Sequence, residues 1–319
     1  CREKTRKRWC AMMLHVLLLT VGFVFLVKGA DWFVEGAAGI AKKLGIPQLV
    51  IGLTIVAMGT SMPEAAVSIT SALSGSAGIS IGNVVGSNIL NILIILGITA
   101  VLTNVRIQKT TFRYEIPFMI GITIILMAFG ITGNQITFLE GILFWLLFFI
   151  FLGYLFVISK KGSVQDEEEI KELPLWKGVL GIIIGGILVV KGSDFAVEGA
   201  TEIARYFGMS ERFIGLTIVA FGTSLPELVT SVTAARRGNA DIAIGNIVGS
   251  NIFNILFVIG TTALICNVPF DQKFVTDTIV AIFSGVLLWA GTIRYKELRK
   301  NCGIVMLLCY AGYFIYLCK

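Results

Sequence analysis

Histidine is nearly missing from this chain: His15 is the only one among 319 residues. With it go a common zinc ligand and the usual base of a nucleophilic pair. The cysteines, Cys1, Cys10, Cys266, Cys302, Cys309 and Cys318, show no Cys-x-x-Cys spacing. That argues against a structural zinc site and leaves the thiols as buried or interfacial groups. No phosphate-binding loop, cofactor motif or nucleophile-base pair is present, so an enzyme is not expected and no resident cofactor is needed. Charge is scarce too. Only 14% of the residues are charged against 56% hydrophobic, with a mean hydropathy of +0.87. That is more apolar surface than one soluble core can hide, and it implies an all-α polytopic membrane protein. The net charge of +6 does not point to nucleic acid, because the basic residues sit singly or in pairs between apolar runs.

The chain is written twice. Gly59-Thr60-Ser61-Met62-Pro63-Glu64 returns as Gly222-Thr223-Ser224-Leu225-Pro226-Glu227, an offset of 163 residues. The same offset relates Lys28 to Lys191, Asp31 to Asp194, Glu35 to Glu198, Asn91 to Asn254 and Asn104 to Asn267. Between Gly52–Glu64 and Gly215–Glu227 only Met58/Phe221 and Met62/Leu225 differ.

About 20 apolar residues cross a bilayer as a helix. On that ruler the spans are 13–35, 46–72, 78–103, 113–132, 138–159, 176–204, 211–235, 241–266, 274–293 and 302–318. Ten transmembrane helices divide into five per copy. Five is odd, so the second copy enters the membrane from the opposite side and the two are inverted-topology repeats, 13–159 and 176–319. Residues 160–175 join them as an acidic cytoplasmic linker, read as solvated chain; Asp166-Glu167-Glu168-Glu169 lacks the Asp-x-Asp-x-Asp-Gly pattern of a calcium loop. Loops after odd-numbered spans carry 15 Lys and Arg. The opposite loops carry Arg205, Arg212, Lys273 and Lys319, plus five in the leader before Met12. The odd side is therefore cytoplasmic and both termini face outward. The basic leader opposes this bias; the native start is expected at Met12 or Met13, the alternative being a basic arm on the membrane surface.

Only two carboxylates, Glu64 and Glu227, fall near the middle of a span, and no Lys, Arg or His lies at that depth. A charge at the bilayer centre costs at least ~2.5–3.5 kcal/mol. Each is therefore protonated or matched by a cation that comes and goes; a protonated acid bonding between helices would suit one such site better than two. Pro63 and Pro226 each remove a helical hydrogen bond, from Gly59 and Gly222. Local unwinding is expected to free carbonyls over Ala57–Ser61 and Ala220–Ser224 beside the hydroxyls of Thr60, Ser61, Thr223 and Ser224. These are hard oxygen ligands suited to Na⁺ and Ca²⁺. A second polar stripe, Gly82-Asn83-Val84-Val85-Gly86-Ser87-Asn88-Ile89-Leu90-Asn91, repeats as Gly245–Asn254. Ser87 and Asn91 share a face, and Gly82 and Gly86 allow close helix approach. Lys28, Asp31 and Glu35, with their repeats, read as interfacial ion pairs, ion entry being the lesser alternative.

At these motifs the chain resembles the calcium/cation antiporter superfamily, specifically prokaryotic sodium/calcium exchangers, from Met13 onward. The resemblance implies exchange of Na⁺ for Ca²⁺ across the plasma membrane; a monomer or weak oligomer is expected. It also implies that the first and sixth helices slide across a core of the second, third, seventh and eighth. It assigns calcium to Glu64, Glu227 and the carbonyls of Thr60 and Thr223, and sodium to Ala57, Ser61, Ser87, Ala220, Ser224 and Ser250 with the same glutamates; the amides of Asn91 and Asn254, from the second polar stripe, are expected to face the same cavity as neutral oxygen donors. Some relatives have Asp where this chain has Asn254, which removes a third carboxylate and by analogy argues against potassium co-transport. A proton/calcium exchanger using the same glutamates and a channel are the rival readings; a channel would not need a counter-ion on the opposite side.

Overall fold

The computed structural model describes residues 2–160, 173–208 and 220–317, with side chains from residue 12 onward and excluding that of residue 220. The acidic run 166–169 and the start of the expected seventh span lie outside the described residues.

Twelve helical segments follow one another among the described residues: α1 (Arg2–Leu44), α2 (Gln48–Thr60), α3 (Met62–Leu73), α4 (Gly78–Leu102), α5 (Thr111–Gly133), α6 (Phe138–Lys160), α7 (Leu175–Tyr206), α8 (Ala220–Thr223), α9 (Leu225–Arg236), α10 (Ala240–Ile265), α11 (Gln272–Thr292) and α12 (Lys300–Leu317). Among the described residues, eight helices are long and apolar enough to cross a membrane, or nine if the bent pair α2–α3 is one span. The chain is a helical, multi-pass membrane protein. Its first helix runs on to Leu44, past the limit of 35 expected from hydropathy. Lys42 and Lys43 occupy its last turn, where cations suit the negative end of the helix dipole.

The two halves of the core are α4 and α10, the most enclosed of the long helices. They cross on a cluster of amides. Asn88 Nδ2 donates to the Asn251 carbonyl at 3.1 Å, and Asn251 Nδ2 returns a bond to the Asn88 carbonyl at 3.1 Å. Asn91 Nδ2 donates to Asn251 Oδ1 at 2.9 Å and Asn254 Nδ2 to Asn88 Oδ1 at 3.1 Å. Exchanging each residue for its partner 163 positions away maps this set onto itself. Both helices carry a wide π turn beginning at the inner asparagine, Asn91–Leu96 and Asn254–Ile259, an irregularity common where helices bear function.

Short strands staple the loops. β1 (Val105–Arg106) pairs antiparallel with β4 (Glu297–Leu298), and β2 (Gln135–Ile136) with β3 (Val268–Pro269). The loops after α4 and α11 therefore lie together, as do those after α5 and α10. Outside this frame, α1 and α7 run antiparallel and touch backbone to backbone. A Cβ on Gly22, Gly29 or Gly36 would lie 2.6–2.8 Å from atoms of Ala196, Leu188 and Gly178 respectively. One on Gly185, Gly192 or Gly199 would meet Phe33, Leu26 or His15 at 2.6–2.7 Å. These glycines recur every seven residues, so a single seam of missing side chains lets the two helices lock along their length.

Candidate ion-binding site

Pro63 and Pro226 stand in the first turn of α3 and α9. Preceding them, Ser61 (φ −84°, ψ 8°) and Ser224 (φ −91°, ψ 4°) leave the helical region, and α2 and α3 meet at 49°. The break is narrower than the expected unwinding. The Ala57 carbonyl still accepts from Ser61 N at 3.0 Å, the Ser61 carbonyl from Ala65 N at 3.1 Å and the Ser224 carbonyl from Leu228 N at 3.0 Å. At Gly222, whose helical donor Pro226 removes, Ser193 Oγ of α7 donates at 2.6 Å instead.

The break makes two new helix N-termini in the protein interior, and the first turn of each carries a glutamate, Glu64 or Glu227. A helix start carries partial positive charge, which supplies some of the compensation that no lysine or arginine gives. Glu64 is 1% exposed and Glu227 0%. Neither forms an ion pair among the described residues. Ser61 Oγ donates to Glu227 Oε1 at 2.8 Å, and Ser87 Oγ reaches Glu64 Oε1 at 3.5 Å. Since Ser61 lies one turn before Glu64, its bond to Glu227 draws the two breaks together across the repeats.

Five buried oxygens here have no hydrogen-bond partner among the described residues: Glu64 Oε2, Glu227 Oε2, Ser224 Oγ, Asn91 Oδ1 and Asn254 Oδ1. Buried polar atoms are normally satisfied, because leaving one bare costs about 1–3 kcal/mol. With both acids ionised, four of the five can only accept. A set of unmet acceptors around two carboxylates calls for a cation of oxygen-seeking type.

The amide cluster explains how the asparagine oxygens stay bare. Both Asn91 and Asn254 spend their Nδ2 on the opposite helix, which fixes which end of each amide points away. Asn88 and Asn251 are thus positioning residues, overlooked in the sequence although they stand in the Gly-Ser-Asn motif. Asn83 and Asn246 brace the glutamate helices. Asn83 Nδ2 bonds Ser68 Oγ at 2.9 Å and the Glu64 carbonyl at 3.0 Å; Asn246 Nδ2 bonds Ser231 Oγ at 2.8 Å and the Glu227 carbonyl at 3.4 Å.

The remaining expected ligands gather here. Thr60 Oγ1 lies 3.0 Å from Asn246 Oδ1, and Ser250 Oγ lies 3.4 Å from the Ala57 carbonyl. Thr223 and Ser87 both line a cavity of about 1030 Å³ that extends past Asn83, Ser76 and Gly78 to Cys266. Ala220 opens α8. Farther out, Lys191 pairs with Asp194 at 3.2 Å as its helical spacing suggests. Asp31 and Glu35 turn instead to Arg237, at 2.8 and 3.3 Å, a partner no local spacing could reveal.

The profile of the sodium/calcium exchanger protein family matches residues 14–157 and 177–319. The putative antiporter CaxA of Alkalimonas amylolytica is 38% identical over 95% of this chain and 98% of its own length. The sodium/calcium exchanger MaX1 of Methanosarcina acetivorans is 33% identical over 95% and 98%. A solved structure of the sodium-calcium exchanger NCX_Mj, soaked with zero Na⁺ and Ca²⁺, superposes with a TM-score of 0.84 at 32% identity, covering 96% of this chain and 99% of that one. With two glutamates at paired helix breaks and a fold shared over nearly its whole length, the chain belongs to the sodium/calcium exchanger protein family.

Proposed function

We propose that this protein exchanges Na⁺ for Ca²⁺ across the plasma membrane by alternating access, electrogenically, with Glu64 and Glu227 as the shared charge of both ion sets. The observation that carries the reading is a group of five buried oxygens, two of them from the carboxylates, with no hydrogen-bond or basic partner among the described residues. When both acids are ionised, one Ca²⁺ neutralises them. Na⁺ ions do so only when spread over several small sites, which the hydroxyls of Thr60, Ser61, Thr223, Ser224, Ser87 and Ser250, the carbonyls of Ala57 and Ala220 and the amides of Asn91 and Asn254 would provide. Occupation by both ion types at once leaves surplus charge in a low-dielectric space, so the two compete. The empty ionised cavity resists crossing for the converse reason, which couples the fluxes.

In this reading ten helices form two inverted five-helix repeats, 13–159 and 176–319, joined by the cytoplasmic segment 160–175, with both termini outside. Reciprocal bonds between Asn88 and Asn251 support a two-fold relation. So do the strand pairs, since shifting β1 forward by 163 residues gives β3 and shifting β4 back by 162 gives β2, register included. The cavity then opens outward, by the loop 75–78.

The test is ion flux in reconstituted liposomes. Sodium-loaded vesicles should take up Ca²⁺ against its gradient, faster when the membrane potential favours exit of the surplus positive charge. Uptake that follows an imposed pH gradient and ignores Na⁺ would transfer the assignment to proton/Ca²⁺ exchange; flux without a counter-ion would indicate a channel.

A further inference from the structure

The two repeats are not quite equivalent where α1 and α7 meet the core, and the difference is one-sided. Arg237, at the end of α9, donates through Nε and Nη2 to Asp31 Oδ1 at 3.2 and 2.8 Å and through Nη1 to Glu35 Oε2 at 3.3 Å. It thereby ties α1 to the core on the side away from the cavity. The residue 163 positions earlier is Ser74, whose hydroxyl bonds back into its own helix at the Thr70 and Ser71 carbonyls. Asp194 and Glu198, the counterparts of Asp31 and Glu35, have no arginine from the core among the described residues. The second tie behaves alike. Ser193 of α7 bonds the Gly222 carbonyl, while its counterpart beside Gly59 is Ala30, which has no hydroxyl.

We propose that Arg237 is a one-sided latch, seconded by Ser193, that biases the exchanger toward the conformation described here. The inference rests on the alternating-access reading. If the opposite state is this one with the repeats exchanged, every contact between two residues passes to the residues 163 positions away. The amide cluster of α4 and α10 maps onto itself and persists. Ser61 with Glu227 becomes Ser224 with Glu64, which the chain can make. Arg237 with Asp31 and Glu35 becomes Ser74 with Asp194 and Glu198, and Ser193 with Gly222 becomes Ala30 with Gly59, which it cannot. Both losses fall on the same state. The three latch side chains are 36%, 30% and 44% exposed, so each pair has the strength of a surface ion pair. Together they bias the equilibrium by roughly three- to tenfold, reversibly and with sensitivity to salt.

The test uses two reporters of access in a protein with its other cysteines replaced: Cys266 on the cavity and, on the opposite side, its counterpart Thr103→Cys. Labelling by a membrane-impermeant maleimide is measured from each side in Na⁺-free, Ca²⁺-free buffer. Arg237→Ala, and separately Asp31→Asn with Glu35→Gln, should raise the Thr103→Cys rate relative to Cys266 about three- to tenfold at low salt, and less at high salt. Moving the latch, Arg237→Ser with Ser74→Arg, should shift the ratio further in the same direction. Unchanged ratios in variants that still exchange Na⁺ for Ca²⁺ would overturn the latch. Absence of sodium-driven Ca²⁺ uptake by the unmutated protein would instead overturn the exchange reading, and the two failures are scored in separate assays.

Discussion

Glu227→Gln should separate the charge of the site from its shape. Glutamine keeps the side-chain length and one acceptor for the Ser61 hydroxyl, now 2.8 Å from Oε1, and it deletes one of two negative charges. Depriving a buried charge of its partner costs roughly 3–5 kcal/mol. At about 1.4 kcal/mol per factor of ten, Ca²⁺ affinity should fall roughly 100- to 3000-fold. A monovalent ion feels half the Coulomb attraction at the same distance, so Na⁺ should lose about 1.5–2.5 kcal/mol, roughly 10- to 70-fold by the same conversion. Selectivity thus moves toward Na⁺ while exchange fails. Stability in ion-free buffer should move the other way or stay level, because an isolated buried carboxylate is costly and an amide less so. Calcium binding by titration, sodium-driven uptake in liposomes and thermal unfolding without ions read the three quantities. Calcium binding within threefold of the unmutated protein, or equal losses for both ions, would refute the electrostatic account, and a collapse of ion-free stability would make Glu227 a structural residue.

Asn88→Ala removes its bond to the Asn251 carbonyl and the acceptor of Asn254 Nδ2. It should lower stability by about 1–2 kcal/mol and weaken ion binding although Asn88 touches no ion in the proposed site; unchanged binding at reduced stability would limit it to packing. Gly29→Leu puts a Cβ 2.8 Å from the Val189 backbone nitrogen and should cost roughly 1–3 kcal/mol or more, whereas Gly121→Leu, with nothing within 4 Å among the described residues, should leave the thermal midpoint where it was. Single cysteines at Gly75 and Gly238 should label from opposite faces, Gly75 from outside, and labelling from one face would overturn the inverted arrangement.

What could be read from the sequence was whatever the chain states locally or twice. The offset between Thr60 and Thr223, the depth of Glu64 and Glu227 and the helix-breaking prolines all lie within a few residues of one another. Their consequence, a break preceding a glutamate on a first turn, was legible except in its width. The unwinding is narrower than the sequence suggests because a proline removes one donor, and the flanking carbonyls of Ala57 and Ser61 keep theirs. The wide turns at Asn91 and Asn254 leave no mark in hydropathy. Asn88, Asn251, Ser193 and Arg237 act on residues 29 to 206 positions away, and such partners are set by helix packing, not by spacing along the chain. The glycines at 22, 29 and 36, and at 185, 192 and 199, were different. Their period of seven is visible along the chain, but isolated glycines in a membrane helix read as ordinary packing, and spacing alone does not name the helix they face.

That seam has a mechanical consequence. Helices α1 and α7 interlock at backbone distance along their length, so neither can shift past the core without taking the other. Under the proposed alternating access the pair would move as a single rigid bar with one coordinate of motion. If that bar covers one approach to the ions at each end of its travel, uncovering one would cover the other by displacement alone, as a sliding bolt cannot occupy both ends of its track. Mutual exclusion of the two openings would then need no signal passing between the gates: it would be a property of the shape of the bar, present before any ion binds.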